Sequence, residues 1–294
     1  LLEANKEELA LYDCLDVGKP ISAALHGDVG LAASFLRDYA EGADKLLSTS
    51  GADGGTTAYQ MRKPVGVVGA IVGWNFPLWM AAMKVGPALA MGNSLVLKPS
   101  EFSSLSAGRF AELALEAGVP PGVFNVVHGA GATVGAALAQ HPSVNLISFT
   151  GSSATGKKMM IAAGQSNMKR LLLECGGKSP FIVFDDCPED LDVIAAAVVE
   201  MAFNNQGEVG VAGTRLLIQN GIKNKLLPKI IEQAAQLKPQ DPLDPNTTFG
   251  ALINEAQMHK VLAYIESGKQ QGAELILGGE RIEVDTGSAG DNNP

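Results

Sequence analysis

The chain has few charged residues and few cysteines, and each shortage excludes a class of protein. Charged residues make up 18% and hydrophobic residues 46% of the 294 residues, which excludes an intrinsically disordered chain. The formal net charge of −9 excludes the basic surface that nucleic acids or anionic membranes require. The 3 cysteines form no CxxC pair, which predicts a reduced, cytoplasmic protein.

Metal-ligand clusters and membrane-spanning runs are missing as well. The 4 histidines are dispersed without metal-ligand spacing, so we predict no metal. The longest apolar run, 65–83, is interrupted by glycines, Asn75 and Pro77, which favours a strand, a turn and a helix over a membrane span. The chain begins at Leu1 inside a helical pattern, and no signal peptide is visible. We therefore expect a fragment of a longer protein.

Glycine is abundant instead, with 34 residues, and it punctuates a repeating order of strands and helices. The predicted helices share apolar positions at helical spacing and cover 3–13, 20–47, 77–90, 105–116, 133–139, 154–163, 190–203, 224–236 and 255–270. The predicted strands are short apolar runs at 57–66, 65–72, 94–98, 124–127, 145–150, 170–174, 180–184, 215–219 and 273–278. A turn is predicted over the segment GADGG, 51–55.

Near-continuous apolar strands that alternate with helices are typical of a parallel sheet buried on both faces. We therefore predict an α/β protein with a Rossmann-like, doubly wound sheet. Such sheets bind ligands at the carboxyl ends of their strands. From residue 190 on, the same alternation predicts a second α/β unit that is cut short.

Three segments could carry chemistry at strand ends, and each has a plainer alternative. Asn75 follows the run VGVVGAIVG and could stabilise an oxyanion, or it could cap the helix that Pro77 begins. Gly151 and Ser152 stand at a strand-to-helix switch that could bind phosphate, or they could form an ordinary turn. Glu174 precedes a Gly-Gly pair and could be a general base or a solvated carboxylate.

Taken together and in order, these segments resemble the aldehyde dehydrogenase superfamily. The matching runs are WNFP at 74–77, KPSE at 98–101, FTGS at 149–152, LECGGK at 173–178 and NQGEVGVAGTR at 205–215. Two further runs, LDVGKP at 15–20 and LDPNTTFG at 243–250, look like the branch that oxidises aminoaldehydes, which includes the gamma-glutamyl-gamma-aminobutyraldehyde dehydrogenases.

The resemblance implies two domains and a longer protein. Residues 1–173 would form N-terminal helices and an NAD-binding domain, with part of an oligomerisation strand near 56–64. Residues 174–294 would form a catalytic domain that is incomplete at its C-terminus. The family's EIFGP segment, whose glutamate holds the nicotinamide ribose, does not occur in the 294 residues.

The resemblance also implies a mechanism, in which a cysteine thiolate attacks the aldehyde and water hydrolyses the resulting thioester. Glu174 would be the general base and Asn75 the side-chain donor of the oxyanion hole. The position of the nucleophile falls on Gly210, so the chain has no thiol there. Cys175 stands where the family usually carries a leucine, and we expect it to be a small buried hydrophobic residue.

The cofactor implied by the resemblance is NAD. Lys98 and Glu101 would hold the adenine ribose, and the carboxylate of Glu101 would disfavour the 2′-phosphate of NADP. The other residues that match cofactor-binding positions are Ile71, Trp74, Ser100, Gly131, Thr133, Gly135, Thr150, Gly151, Ser152 and Thr155.

Phe76, Met80 and Met83 fall on one helical face and match the family's substrate tunnel. Core packing would produce the same stripe. The sequence thus predicts NAD-dependent oxidation of an aldehyde, with a short aminoaldehyde as a candidate substrate, by a homodimer or homotetramer that lacks its nucleophile. The alternative is a catalytically inactive homologue that serves as an NAD-binding or structural protein.

Overall fold

The computed structural model describes residues 1–45, 49–53, 55–187 and 190–282. These residues form two compact units. The first comprises Leu1–Asp16 and Ala24–Cys175, and the second comprises Val17–Ala23 and Gly176–Pro294.

The helices cover most of the predicted helical segments. They are α1 (Lys6–Val17), α2 (Ile21–Ala23), α3 (Val29–Gly42), α4 (Pro77–Ala90), α5 (Leu105–Glu116), α6 (Ala136–Gln140), α7 (Ser153–Gln165), α8 (Leu191–Phe203), α9 (Asn220–Ala234) and α10 (Glu255–Gln270). Single helical turns lie at Glu3–Asn5, Ala24–Asp28, Ala43–Lys45 and Gly131–Gly135. The segment Asn204–Gly207 forms a turn whose inner residues are not helical. In the part of the chain that the structure describes, no helix combines the length and apolarity needed to cross a membrane.

The strands are β1 (Thr49–Asp53), β2 (Thr56–Gln60), β3 (Val67–Ile71), β4 (Ser94–Lys98), β5 (Phe124–Val126), β6 (Leu146–Gly151), β7 (Arg170–Cys175), β8 (Pro180–Val183) and β9 (Arg215–Ile218). Strands β1 and β2 form an antiparallel hairpin. Strands β8 and β9 form a parallel pair in the second unit.

The first unit is built on a parallel sheet with strand order β5-β4-β3-β6-β7. The chain moves outward from β3 to β5 and then returns to place β6 on the other side of β3. The order of strands therefore reverses between β3 and β6, and this is where doubly wound folds bind ligands. The predicted α/β fold with a Rossmann-like sheet is confirmed.

Burial of apolar side chains explains why these segments form strands and helices. Four of the five residues of β3 are buried, as a central parallel strand requires. One core cluster joins β3 and β6 to α6 and α7, and includes Ile147 and Phe149. The core of the second unit joins Val183 of β8 to apolar faces of α8 and α9.

Local signals fix several helix ends. Helix α4 begins at Pro77, whose fixed φ suits the first helical position, and a left-handed Gly92 follows its end. The Asp190 side chain accepts hydrogen bonds from the first backbone N–H groups of α8. Asn254 does the same for α10 through the N–H of Gln257.

Several sequence predictions are wrong in part. The segment 273–278 is not a strand, because within the described residues no strand pairs with it. The segment 51–55 is not only a turn, since residues 51–53 belong to β1, while residue 54 lies outside the described residues. The predicted strand over 57–66 runs only from Thr56 to Gln60. The predicted helix over 20–47 is broken into shorter pieces, and residues 46 and 47 lie outside the described residues.

Candidate functional site

Lys98 and Glu101 are joined beyond the carboxyl end of β4. The Lys98 Nζ donates to Glu101 Oε2 at 3.1 Å and to the Pro99 carbonyl at 2.7 Å. The backbone N–H of Gly131 donates to the other Glu101 oxygen, at 3.3 Å. Burial raises the pKa of Glu101, but hydrogen bonds from its own backbone N–H, Lys98 and Gly131 outweigh burial and hold it below 4.5. This carboxylate is therefore ionised at neutral pH.

The helical turn that follows β5 packs over the same lysine. A Cβ built on Gly135 would lie 3.8 Å from Lys98 Cδ. The hydroxyl of Thr133 donates to the Ala130 carbonyl at 3.2 Å, which stabilises the turn. Ser100 is buried, and its Oγ accepts from the Phe102 N–H at 3.2 Å. The structure thus brings the predicted residues of β4 and of this turn together.

A second group lies where β6 leads into α7. The Ser152 Oγ accepts the Thr155 N–H at 3.2 Å and lies 3.0 Å from the Thr155 hydroxyl. A Cβ on Gly151 would lie 2.6 Å from Phe149 Cζ, so any larger residue here would require the buried Phe149 ring to shift. Since backbone N–H groups point outward at the start of α7, this end can receive a phosphate.

The predicted residues at the end of β3 lie beside β6. Ile71 ends β3 and pairs with Phe149 of β6. A Cβ on Gly73 would lie 3.4 Å from Asn75 Oδ1 and 3.8 Å from the Thr150 carbonyl oxygen. Trp74 lies between Gly73 and Asn75 in this loop and is partly buried. These residues therefore occupy the point where the order of strands reverses.

Glu174 lies at the carboxyl edge of the same sheet. It is exposed on β7 and pairs with Thr150 of β6. Lys84, on α4, is buried, and burial lowers its pKa although the charge of Glu174 acts in the opposite direction. Sequence reasoning missed Lys84. The signal was a single charged residue in the otherwise apolar helix PLWMAAMKVGPALA.

The stripe predicted for the substrate tunnel lies on and just before α4. Phe76 is buried, and its carbonyl accepts the Met80 N–H at 2.8 Å. Its ring meets Trp79 edge-on, with centroids 5.2 Å apart. Met80 and Met83 are partly buried on this helix. Met80 and Met83 lie on the helix as predicted, whereas Phe76 directly precedes it with a non-helical backbone. The role of the stripe in substrate binding stays a prediction.

Gly210 lies in the second unit, on an exposed turn. A Cβ built on Gly177 would lie 3.6 Å from the Gly210 carbonyl oxygen, so the GGK turn is its neighbour within this unit. A Cβ built on Gly210 itself would meet no atom within 4 Å. The position therefore has room for a side chain.

The prediction for Cys175 is wrong. This cysteine is exposed rather than buried, because it ends β7, an edge strand of the sheet. A Cβ on Gly156 would lie 2.9 Å from its Sγ, so one side of the thiol packs on α7. Among the described residues, no group of three histidine, cysteine or acidic side chains could hold a metal ion.

Two buried residues on the turn before Gly210 were also missed. Gln206 and Glu208 accept hydrogen bonds from the backbone N–H groups of Gly250 and Ile253, each at 3.2 Å. Burial raises the pKa of Glu208 to about 7, although the Ile253 N–H and the charge of Lys19 lower it. The sequence does not predict that these two side chains are buried, because they lie in a short polar run.

Comparison with known proteins places this geometry in a family. The profile described as "Aldehyde dehydrogenase family" matches residues 1–291. The NADP/NAD-dependent aldehyde dehydrogenase PuuC of Escherichia coli is 50% identical over 283 residues, which are 95% of this chain and 56% of that protein. The chain belongs to the aldehyde dehydrogenase family.

Solved structures agree with this assignment. A mutant of the indole-3-acetaldehyde dehydrogenase AldA of P. syringae, in complex with NAD+ and IAA, superposes with a TM-score of 0.95 and 52% identity, covering 98% of this chain and 58% of that one. The gamma-glutamyl-gamma-aminobutyraldehyde dehydrogenase of Burkholderia cenocepacia superposes with a TM-score of 0.93 and 48% identity, covering 96% and 57%. The chain thus spans little more than half the length of these relatives.

Proposed function

We propose that the whole protein to which this chain belongs is built for NAD-dependent oxidation of an aldehyde to a carboxylic acid. The observation that carries the proposal is the ionised Glu101, joined to Lys98 and to the turn at Gly131 beyond the sheet. Asn75 follows β3 and Glu174 lies near the end of β7, at the same edge of the same sheet. A cofactor and an aldehyde would therefore be bound at one edge of one sheet.

The residues at this edge fit NAD. Glu101 and Lys98 present a carboxylate and an ammonium that can bond the two hydroxyls of a ribose. The start of α7, with Gly151 and Ser152, offers free N–H groups to a pyrophosphate. When bound, NAD accepts a hydride from the carbon that is oxidised. We assign the remaining predicted cofactor residues to the same site.

The catalytic roles follow from chemistry and position. Asn75 donates its side-chain N–H to the aldehyde oxygen, where negative charge develops. Glu174 accepts a proton from water or from the hydrated aldehyde. Gly210 contributes a backbone N–H but no nucleophile, so no covalent intermediate forms at this position. We therefore expect the Gly210 form to bind aldehydes and to oxidise them at close to the background rate.

The substrate class rests on similarity to aminoaldehyde dehydrogenases, and on the runs LDVGKP and LDPNTTFG. We propose a short aminoaldehyde as the substrate. The partly buried methionines of α4 would line its path. We also propose a cytoplasmic homodimer or homotetramer, to which the hairpin of β1 and β2 contributes an edge strand.

Gly210 itself favours a second candidate, a catalytically inactive homologue that binds NAD or serves as a structural protein. The first candidate and the NAD-binding form of the second both predict NAD binding, whereas a purely structural protein does not. They differ in what a restored thiol would do, because only the first retains a working general base and oxyanion donor.

Calorimetric titration of the full-length gene product with NAD tests the shared claim. NAD should bind at about 1 mM cofactor or below, and NADP should bind about tenfold more weakly because of Glu101. Glu101→Gln should remove this preference, while Glu7→Gln, at an exposed carboxylate of α1, should keep it. No binding by a folded sample, or equal affinity for NADP, would contradict the assignment.

A further inference from the structure

The turn that leads to Gly210 has an unusual backbone. Asn205 and Gln206 have φ values of 49° and 60°, and Gly207 follows at 76°. Residues with a Cβ rarely adopt this left-handed conformation, and they keep it only where neighbouring groups hold it. The turn therefore needs anchors outside its own backbone.

Two side chains of the turn supply these anchors. Gln206 Oε1 accepts the Gly250 N–H, and Glu208 Oε1 accepts the Ile253 N–H. The two residues are only 8% and 9% exposed. Removing either acceptor would leave a backbone donor without this partner, in a buried place at Gly250 and a partly buried one at Ile253. The turn is thus attached at two points to the segment 250–253.

That segment is itself held by residues near the start of the chain. We call the two segments 17–23 and 241–253 the clasp. The Ala251 N–H donates to the Gly18 carbonyl at 3.1 Å, and the Ile21 N–H donates to the Pro242 carbonyl at 2.8 Å. Gly250 has to be glycine, because a Cβ there would collide with the Gly18 carbonyl oxygen.

The clasp explains two runs that the catalytic roles leave aside. LDVGKP supplies Gly18 and Lys19, and LDPNTTFG supplies Gly250. Lys19 is 1% exposed, and its charge acts on the Glu208 carboxyl. Burying a carboxyl costs free energy unless it is hydrogen-bonded or paired with a charge. The Ile253 N–H and the charge of Lys19 partly offset this cost for Glu208.

We propose that Gln206 and Glu208 are positioning residues, which fix the turn carrying residue 210 on the clasp and so give that residue one orientation. The inference rests on the proposed function, because that function gives residue 210 its role. The two side chains act through the backbone of the turn and do not touch the substrate.

Residue-resolved amide hydrogen exchange of the chain tests the anchors without any activity. Glu208→Ala should speed exchange of the Ile253 amide by about tenfold, and Gln206→Ala should do the same for the Gly250 amide. Glu208→Gln keeps an acceptor and should leave Ile253 close to wild type. Glu200→Ala, at an exposed carboxylate of α8, is the matched control. Unchanged exchange of both amides, or a Glu208→Gln variant as fast as Glu208→Ala, would overturn the proposal.

Kinetics separate positioning from general stability. In the full-length gene product carrying Gly210→Cys, Glu208→Ala should lower kcat by about 100-fold while KM and the Kd for NAD stay unchanged, and Glu208→Gln should restore kcat. An equal kcat for Glu208→Ala would refute the positioning role. If Gly210→Cys alone is inactive, the proposed function fails, and amide exchange still decides whether the anchors exist.

Discussion

Gly210 supplies a backbone N–H but no side chain, and a Cβ built on it would meet open space. The structure therefore has room for a cysteine side chain at this position. Loss of a covalent nucleophile costs on the order of 10³–10⁶ in rate. Under the proposed function, Asn75 and Glu174 are the oxyanion donor and the general base, and residue 210 is the position of the missing nucleophile.

Glu208 is the residue whose charge should couple stability to pH. Its pKa is raised by burial to about 7 from 4.5. Between these values the unfolded chain releases a proton that the folded chain keeps, so stability falls as pH rises through this window. The full effect is about 3 kcal/mol, reached above pH 7.

Urea unfolding of wild type and Glu208→Gln at pH 5 and pH 8 measures this effect. The glutamine variant does not ionise, so its stability should fall less between the two pH values. Glu200→Gln should follow the wild type. If wild type and Glu208→Gln lose equal stability, the Glu208 carboxyl does not carry the predicted pH dependence.

At the scale of elements, the junction of β6 and α7 combines a tight contact with an exposed helix start. A Cβ on Gly151 would lie 2.6 Å from the Phe149 ring, whereas a Cβ on Gly164 of α7 would meet nothing within 4 Å. The two glycines therefore offer a matched pair of substitutions on one helix and its leading turn.

Gly151→Ala should lower stability by about 1–3 kcal/mol through overpacking, and it should weaken NAD binding because the helix start shifts. Gly164→Ala should raise stability by about 0.5–1 kcal/mol, since alanine favours a helix. Thermal unfolding and NAD titration measure both effects. Equal effects of the two substitutions would show that the junction tolerates a side chain.

Local sequence signals were sufficient to predict the ends of some helices. Helix α4 begins at Pro77 and ends at Ala90 as predicted, because proline and Gly92 mark its ends. Segment 273–278 has the apolar composition of a strand, but strand formation depends on a pairing partner. The left-handed backbone at 205 and 206 has no local signal either, because the clasp that holds it comes from distant sequence.

At the scale of the whole chain, the sequence motifs predict which residues lie at the edge of the sheet, but they do not predict the contacts of those residues. The order of strands puts Ile71, Thr150 and Glu174 at one sheet edge, as the motifs predicted. The hydrogen bond from Gly131 to Glu101 and the burial of Lys84 depend on tertiary packing. The sequence therefore predicts the residue types at the candidate site, whereas their hydrogen-bond partners and their burial depend on the fold.

The most direct test of the account is to restore the thiol by Gly210→Cys in the full-length gene product and measure aldehyde-dependent NADH absorbance. We predict a rate at least about 10³-fold above that of the Gly210 protein. Gly210→Ser should stay near background as a size-matched control, and Glu174→Gln should abolish turnover in the Gly210→Cys protein. A folded Gly210→Cys protein that binds NAD and oxidises no aldehyde in a broad panel would contradict the account and favour the inactive homologue.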